Sequence, residues 1–176
     1  MTENLNVDKF RNGEVIPEAK TVGEWKAHSD AEEAAWCYYD NNPANAEKYG
    51  KLYNWYAVND PRGLAPKGWH VPTDEEWTQL TDYLGGVEKA GAKMKSKNGW
   101  NDNGNGTNSS GFSGLPGGYC SNIGTFDGSG ESGGWWSSTE DSAGNAWSRY
   151  MVNYVGGVAR YGSYKGGGFY VRCLKD

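Results

Sequence analysis

Two histidines, three cysteines and a Trp-Asn-Asp triplet are the residues here whose types could carry chemistry. Neither His28 nor His70 has a nucleophile pattern nearby. His70, between Trp69 and Val71 and just ahead of a helix signal, reads as a buried histidine bonding a loop backbone. Thiol chemistry runs through the thiolate, so Cys120 is a candidate reactive thiol only where a cation lowers its pKa. No lysine or arginine lies close to it in sequence. With Cys37 and Cys173 the cysteine count is odd, which leaves at least one thiol unpaired within one chain. Trp100-Asn101-Asp102 offers one amide and one carboxylate, whereas calcium takes six to eight oxygens. The loop from Asn101 to Asn108, like Asp127 with Glu131, reads as a solvated turn, and zinc would need a His/Cys cluster. The expectation is no enzyme, no catalytic residue and no cofactor, with calcium the one metal left open.

Binding is the chemistry these residue types serve better. Tyr, Ser, Gly and Asn make adaptable contact surfaces, since tyrosine gives area with few rotamers to freeze and the small residues give polar contacts. Cys120, Ser121, Asn122, Thr125, Asp127, Ser148, Tyr150, Asn153, Tyr154, Tyr161, Ser163, Tyr164 and Tyr170 have this character. The competing reading is that the tyrosines fill a core short of aliphatic residues. That reading suits Trp135, Trp136, Trp147 and Phe169. Tyr154, Tyr161, Tyr164 and Tyr170 lie among glycines and polar residues and are expected to be exposed. Within Ser148–Tyr154, strand alternation puts Ser148, Tyr150, Val152 and Tyr154 on one face and Arg149, Met151 and Asn153 on the other. Arg149, Arg160 and Arg172 are expected to brace the glycine-rich loops, each offering five donors to backbone carbonyls.

These residues must be positioned by a frame that composition already limits. A chain of 176 residues suits one domain, and 27 glycines exclude a mostly helical one. Nine Trp and 12 Tyr supply the apolar area that scarce aliphatics do not. A net charge of −5 argues against a nucleic-acid partner. No apolar run is long enough to span a membrane. The first residues, MTENLNVDKF, lack the apolar stretch of a secretory signal. Taken as written, the chain is expected to be cytoplasmic with free thiols, with surface display if it is excised from a longer precursor. The clearest helix is near 74–84: Thr73 and Glu76 have capping-box spacing, Trp77, Leu80 and Leu84 share a face, and Gly85-Gly86 ends it. A second helix is read from Ala90 to Lys97 with Met94 inward. Glu33–Ala46 fits either helix or strand. Tyr49–Val58 alternates like a half-buried strand. Later strands are expected at Gly111–Tyr119, Gly134–Ser138, Ala146–Tyr154, Val158–Tyr161 and Phe169–Leu174.

The strings YGKLYNWYAV, GLAPKGWHVPTDEEWTQLTDYLGG, GFSGLPGGY, GGWWSSTE and GGFYVRCLKD, in this order, resemble the Fibrobacter succinogenes major paralogous domain over most of the chain. That resemblance implies an α+β domain of C-type-lectin-like fold, with two or three helices and an irregular antiparallel sheet over 1–176. The wider group includes formylglycine-generating enzymes, whose cysteine pair has no counterpart here. It also includes the variable proteins of diversity-generating retroelements, which implies a diversified ligand-binding region at about 117–173. The implied partner is a macromolecule, a protein or else a glycan. Trp100-Asn101-Asp102 is similar to the calcium-binding triplet of sugar-binding C-type lectins, but the second triplet those proteins need is absent. The sequence departs from the family at Cys120, where arginine is usual, at Tyr170, where serine is usual, and at Ala65, where a cysteine often sits. The alternatives are a paralogous surface domain without diversification, binding polysaccharide or protein, and an inactive relative of the formylglycine-generating enzymes.

Overall fold

The computed structural model describes residues 1–176. The first half is built of short pieces: α1 (Val22–Asp30), β1 (Trp36–Cys37), α2 (Ala46–Tyr49), β2 (Leu52–Tyr53), α3 (Trp55–Val58) and β3 (Trp69–His70). Two helices follow, α4 (Asp74–Tyr83) and α5 (Val87–Met94). The second half holds β4 (Gly117–Cys120), β5 (Phe126–Ser129), β6 (Ser132–Glu140), β7 (Asn145–Val152), β8 (Ala159–Tyr164) and β9 (Leu174–Lys175). The architecture is α+β. The main sheet runs β5-β4-β6-β7-β8 and is mixed, because β4 and β6 pair parallel while its other neighbours are antiparallel. The expectation of an irregular antiparallel sheet is corrected at that one pairing, which is parallel. No helix is long and apolar enough to cross a membrane.

Helix α4 forms where local chemistry demands it. Thr73 Oγ1 accepts the Glu76 amide while the Glu76 carboxylate accepts the Thr73 amide, so two orphan donors of the first turn are satisfied. Trp77 and Leu84 are buried, Leu80 is half-buried, and Gly85 ends the helix at φ 100°. Helix α5 begins three residues earlier than expected, because Gly86 at φ 94° turns the chain straight into it. Tyr49–Val58 is not one strand. Asn54 Oδ1 accepts the Ala57 amide and caps α3, so pairing stops at Tyr53. Between Trp36 and Ala46, Pro43 and a left-handed Asp40 leave only the short β1 and two 3-10 turns. Helix α1, capped by Thr21, has only Trp25 buried, so its apolar periodicity gave no signal. Gly111–Pro116 stays outside the sheet, and Phe169–Cys173 contributes isolated bridges only.

The strongest organiser of the core is β6. Trp135 and Trp136 are successive residues on a strand, so they point to opposite sides, and each is wholly buried in a different apolar cluster. Trp136 Nε1 donates to Tyr53 O at 2.8 Å, and Trp77 Nε1 donates to Trp136 O at 3.2 Å, tying the first half of the chain to the sheet.

One close approach fixes the turn between β7 and β8. Ala92 N donates to Gly156 O at 2.7 Å, and a Cβ on Gly91 would fall on the Gly157 carbonyl, 2.6 Å from its carbon and 2.8 Å from Gly156 O. Gly91→Ala would gain about 1 kcal/mol in helix propensity elsewhere. Here backbone opposes the new methyl, so we expect a net loss of about 2 kcal/mol. Urea unfolding of the variant checks it, and a midpoint at or above the parent's would refute the contact.

Candidate binding surface

Strand β7 sorts its side chains as a half-buried strand should. Arg149 and Met151 are buried on the helix side, while Tyr150 and Val152 turn toward an open cleft. The cleft, about 420 Å³, is bounded by β7, β8 and the turn between them, with Tyr119 and Phe169 behind. Its floor is aromatic: Tyr119 and Phe169 rings lie 5.9 Å apart, and Tyr150 meets Tyr119 and Tyr161 edge-on at 6.1 and 6.4 Å. Burial pushes the Tyr150 hydroxyl pKa up to about 12, and that hydroxyl donates to Ser132 Oγ at 2.7 Å. The rim is open. Tyr154 is 81 % exposed and Tyr161 58 %, and neither hydroxyl bonds within the protein. A second depression, about 210 Å³, shares Tyr119, Ser163 and Phe169 with the cleft and adds Ser121, Asn122 and Tyr164. Tyr164 is 69 % exposed and its hydroxyl is likewise unbonded.

The structure thus gathers Ser121, Asn122, Tyr150, Tyr154, Tyr161, Ser163 and Tyr164 on one continuous surface. Thr125 is exposed beside it and bonds Ser121 Oγ, and Asp127 is exposed opposite Tyr119 in the β4–β5 register. Asn153 turns away, donating to Asp102. Three candidates are corrected outright. The Cys120 side chain is buried in the apolar cluster that also holds Trp25, with Gly168 bridged against its backbone. Ser148 is buried beneath β8, sharing a hydrogen bond of 2.8 Å with Ser163. Tyr170 is wholly buried, with its hydroxyl donating to Gly117 O at 2.8 Å. Trp147, expected in the core, is half-buried under the Arg160 guanidinium, which lies 3.2 Å from its ring centre. Tyr119, Val155 and Ala159 were missed. Val152 was readable from the β7 alternation, and Phe169 serves both core and floor.

The turn that carries Tyr154 is braced from inside. Lys95 is 2 % exposed, has no carboxylate partner, and donates to Val155 O at 2.7 Å, Gly104 O at 3.3 Å and Asn153 O at 3.4 Å. Its ammonium also lies 4.9 Å from the Trp100 ring centre, and burial lowers its pKa. Lys95 thus reaches the Asn101–Asn108 loop at the Gly104 carbonyl. Asn101 and Asp102 are exposed, and no group of three or more His, Cys, Asp or Glu side chains is arranged so that it could hold a metal ion.

The other reactive types have structural roles. His70 is not buried against a backbone. It is half-exposed, with Nδ1 2.7 Å from Asp176 and Nε2 3.0 Å from Glu76, and these two hydrogen bonds raise its pKa. His28 Nδ1 lies 3.3 Å from a Glu33 carboxylate oxygen without hydrogen-bond alignment. Arg172 behaves as expected. It lines a larger polar hollow of about 590 Å³, but its donors go to Asn4 Oδ1, Phe112 O and Ser113 O. Arg149 donates to Asp74 O and its carboxylate, and Arg160 to the carboxylate alone.

All three cysteines are free, with Cys37 and Cys120 fully buried and Cys173 2 % exposed. Burial raises the Cys37 thiol and pushes Cys173 up to about 11. At neutral pH we expect iodoacetamide to label the folded chain at least about tenfold more slowly than the denatured chain. Intact mass against time reads this, and one fast adduct on the folded protein would contradict it.

A family model described as the Fibrobacter succinogenes major domain matches residues 1–175 of the chain. No curated protein and no solved structure matches it.

Proposed function

Since the chain belongs to the Fibrobacter succinogenes major domain family, we propose that it is a C-type-lectin-like ligand-binding protein, the variable protein of a diversity-generating retroelement. One observation carries this reading. Three tyrosines, Tyr154, Tyr161 and Tyr164, stand exposed with unbonded hydroxyls around an aromatic floor. Exposed tyrosines of that kind give contact area at low entropic cost. The cleft favours a protein partner. Its lining holds a single serine and several phenols, with no amide or charged side chain. Both histidines lie beside carboxylates, and all three cysteine side chains are buried.

The depression beside Tyr164 favours a second reading, a paralogous domain without diversification that binds polysaccharide. There Ser121, Asn122 and Ser163 put hydroxyl and amide groups next to an aromatic face.

Sequencing the encoding locus separates the two. Diversification predicts a near-copy of the 3′ part of the gene, differing mainly at adenines, beside a reverse transcriptase gene. The mismatched codons should fall on Tyr154, Tyr161, Ser163 and Tyr164 and spare Tyr170 and Trp135, since changing a wholly buried aromatic costs several kcal/mol. Absence of such a copy would leave the paralogous domain as the reading. Mismatches concentrated on the buried aromatics would remove the surface assignment.

A further inference from the structure

Two of the three cysteines are neighbours. Cys120 stands directly opposite Phe126 in the β4–β5 register, so the two side chains share one face of that pair. The segment leaving β1 runs across this face. The Tyr39 ring meets Phe126 edge-on at 5.3 Å, and a Cβ on Gly118 would lie 2.6 Å from Tyr39 Cε2. Tyr39 comes two residues after Cys37, and Gly118 two residues before Cys120. Cys37 and Cys120 are both wholly buried in the same apolar cluster, whereas Cys173 lies in the other one. Burial raises the Cys37 thiol, and the neighbouring Cys120 thiol raises it further.

Two thiols packed together on different elements are a latent cross-link. Here it would tie β1, in the first half of the chain, to β4, which also carries Tyr119 of the cleft floor. The two residues are far apart in sequence, and the longer the closed loop, the more freedom a cross-link removes from the unfolded chain.

We propose that Cys37 and Cys120 form a disulfide when the chain folds in the presence of a disulfide oxidant such as oxidised glutathione, and that Cys173 stays a thiol. One protein thiolate attacks a glutathione sulfur, breaking the oxidant's S–S bond and releasing a glutathione thiolate. The second protein thiolate then displaces the other glutathione from the mixed disulfide. Two protein thiols and one glutathione disulfide thus give one protein disulfide and two glutathione thiols. Two electrons pass to glutathione, and the released thiolates take up the protons. Burial sets the timing. The folded chain keeps both sulfurs covered, so exchange takes place while the chain folds, and the finished bond is shielded from reductant. In a reducing compartment the pair remains two packed thiols. None of this depends on what the cleft holds.

The whole chain, reduced and unfolded, tests it by refolding at about pH 8 in a glutathione redox buffer, where thiolate is available. It is then unfolded again, treated with N-ethylmaleimide and weighed intact before and after. The expected product is about 2 Da lighter than the reduced chain, for the two hydrogens lost. It takes one maleimide, at Cys173, and yields a Cys37–Cys120 linked peptide on digestion. Its Tm should lie roughly 10 °C above that of the reduced form. Cys173→Ala should keep the bond and take no maleimide, while Cys120→Ala should lose the bond. Three maleimides on a refolded chain with native near-ultraviolet circular dichroism would overturn the proposal. So would a linked peptide containing Cys173, or a Tm lowered by the bond. The same chain directed to a bacterial periplasm, an oxidising compartment, supplies a second measurement that needs no refolding step. There the Cys37–Cys120 peptide is again expected, and three free thiols in the soluble protein would overturn the assignment.

Discussion

Replacing Tyr170 with serine is expected to lower the unfolding free energy by about 4 kcal/mol, the range for emptying a fully buried aromatic site. The ring is wholly buried, and its hydroxyl donates to Gly117 O at 2.8 Å. A Cβ on Gly117 would lie 2.7 Å from the ring's Cζ, so the tyrosine rests directly on that glycine's backbone. Serine removes the ring, leaves a void beside Trp135, and cannot reach the carbonyl. In a domain of this size the change corresponds to a Tm about 12 °C lower. Thermal unfolding followed by near-ultraviolet circular dichroism reads it. A shift of only two or three degrees would mean that the neighbouring aromatics close the gap.

Asp74→Asn is the second large effect, about 3 kcal/mol of destabilisation. Asp74 accepts from Arg149 Nη1 at 2.6 Å and from Arg160 Nε and Nη2 at 2.9 and 2.8 Å. Arg149 is 2 % exposed, so removing its counter-charge leaves a guanidinium buried and unpaired. The effect has a pH signature. Burial alone would raise the Asp74 carboxyl, but the hydrogen bonds and charges of Arg160 and Arg149 outweigh it and hold the pKa below the ordinary aspartate value. A depressed carboxylate contributes fully above its unfolded pKa and loses that contribution as pH falls through the folded one. The gap between parent and variant should therefore be constant above about pH 4 and narrow below it. Urea unfolding across that range checks both parts. A gap that persists undiminished in acid would show that lost packing, not charge, accounts for the destabilisation.

Which parts of this were legible in the chain depended on how local their causes are. The capping box of Thr73 and Glu76 spans four residues, and the helix it starts was readable to within a residue. The β7 alternation was equally local, and it correctly turned Tyr150 and Val152 away from Arg149 and Met151. Errors came where a distant element decided. Tyr170 sits just after Gly166, Gly167 and Gly168, which suggested an exposed loop. Those glycines are buried: a Cβ on Gly168 would lie 2.9 Å from Cys120 Cβ and 2.9 Å from Trp25 Cζ2. They are small because other elements press on them, and composition cannot tell crowding from exposure. The same ambiguity hid Tyr119, whose place on the cleft floor depends on strand pairings set far along the chain. Asn54 misled differently, as a cap inside a run that otherwise alternates like a strand.

The turn that carries Tyr154 hangs on α5 through backbone and a single interior lysine: Ala92 N to Gly156 O, Val158 N to Val87 O, and Lys95 to Val155 O. The side chains of Tyr154, Tyr161 and Tyr164 contribute no hydrogen bond to that suspension, and exposed positions of this kind change stability by no more than about 0.5 kcal/mol when substituted. The three tyrosines can therefore be substituted again and again with little drift toward the unfolding threshold, so the thermodynamic reserve of the domain sets no limit on which side chains stand at these positions.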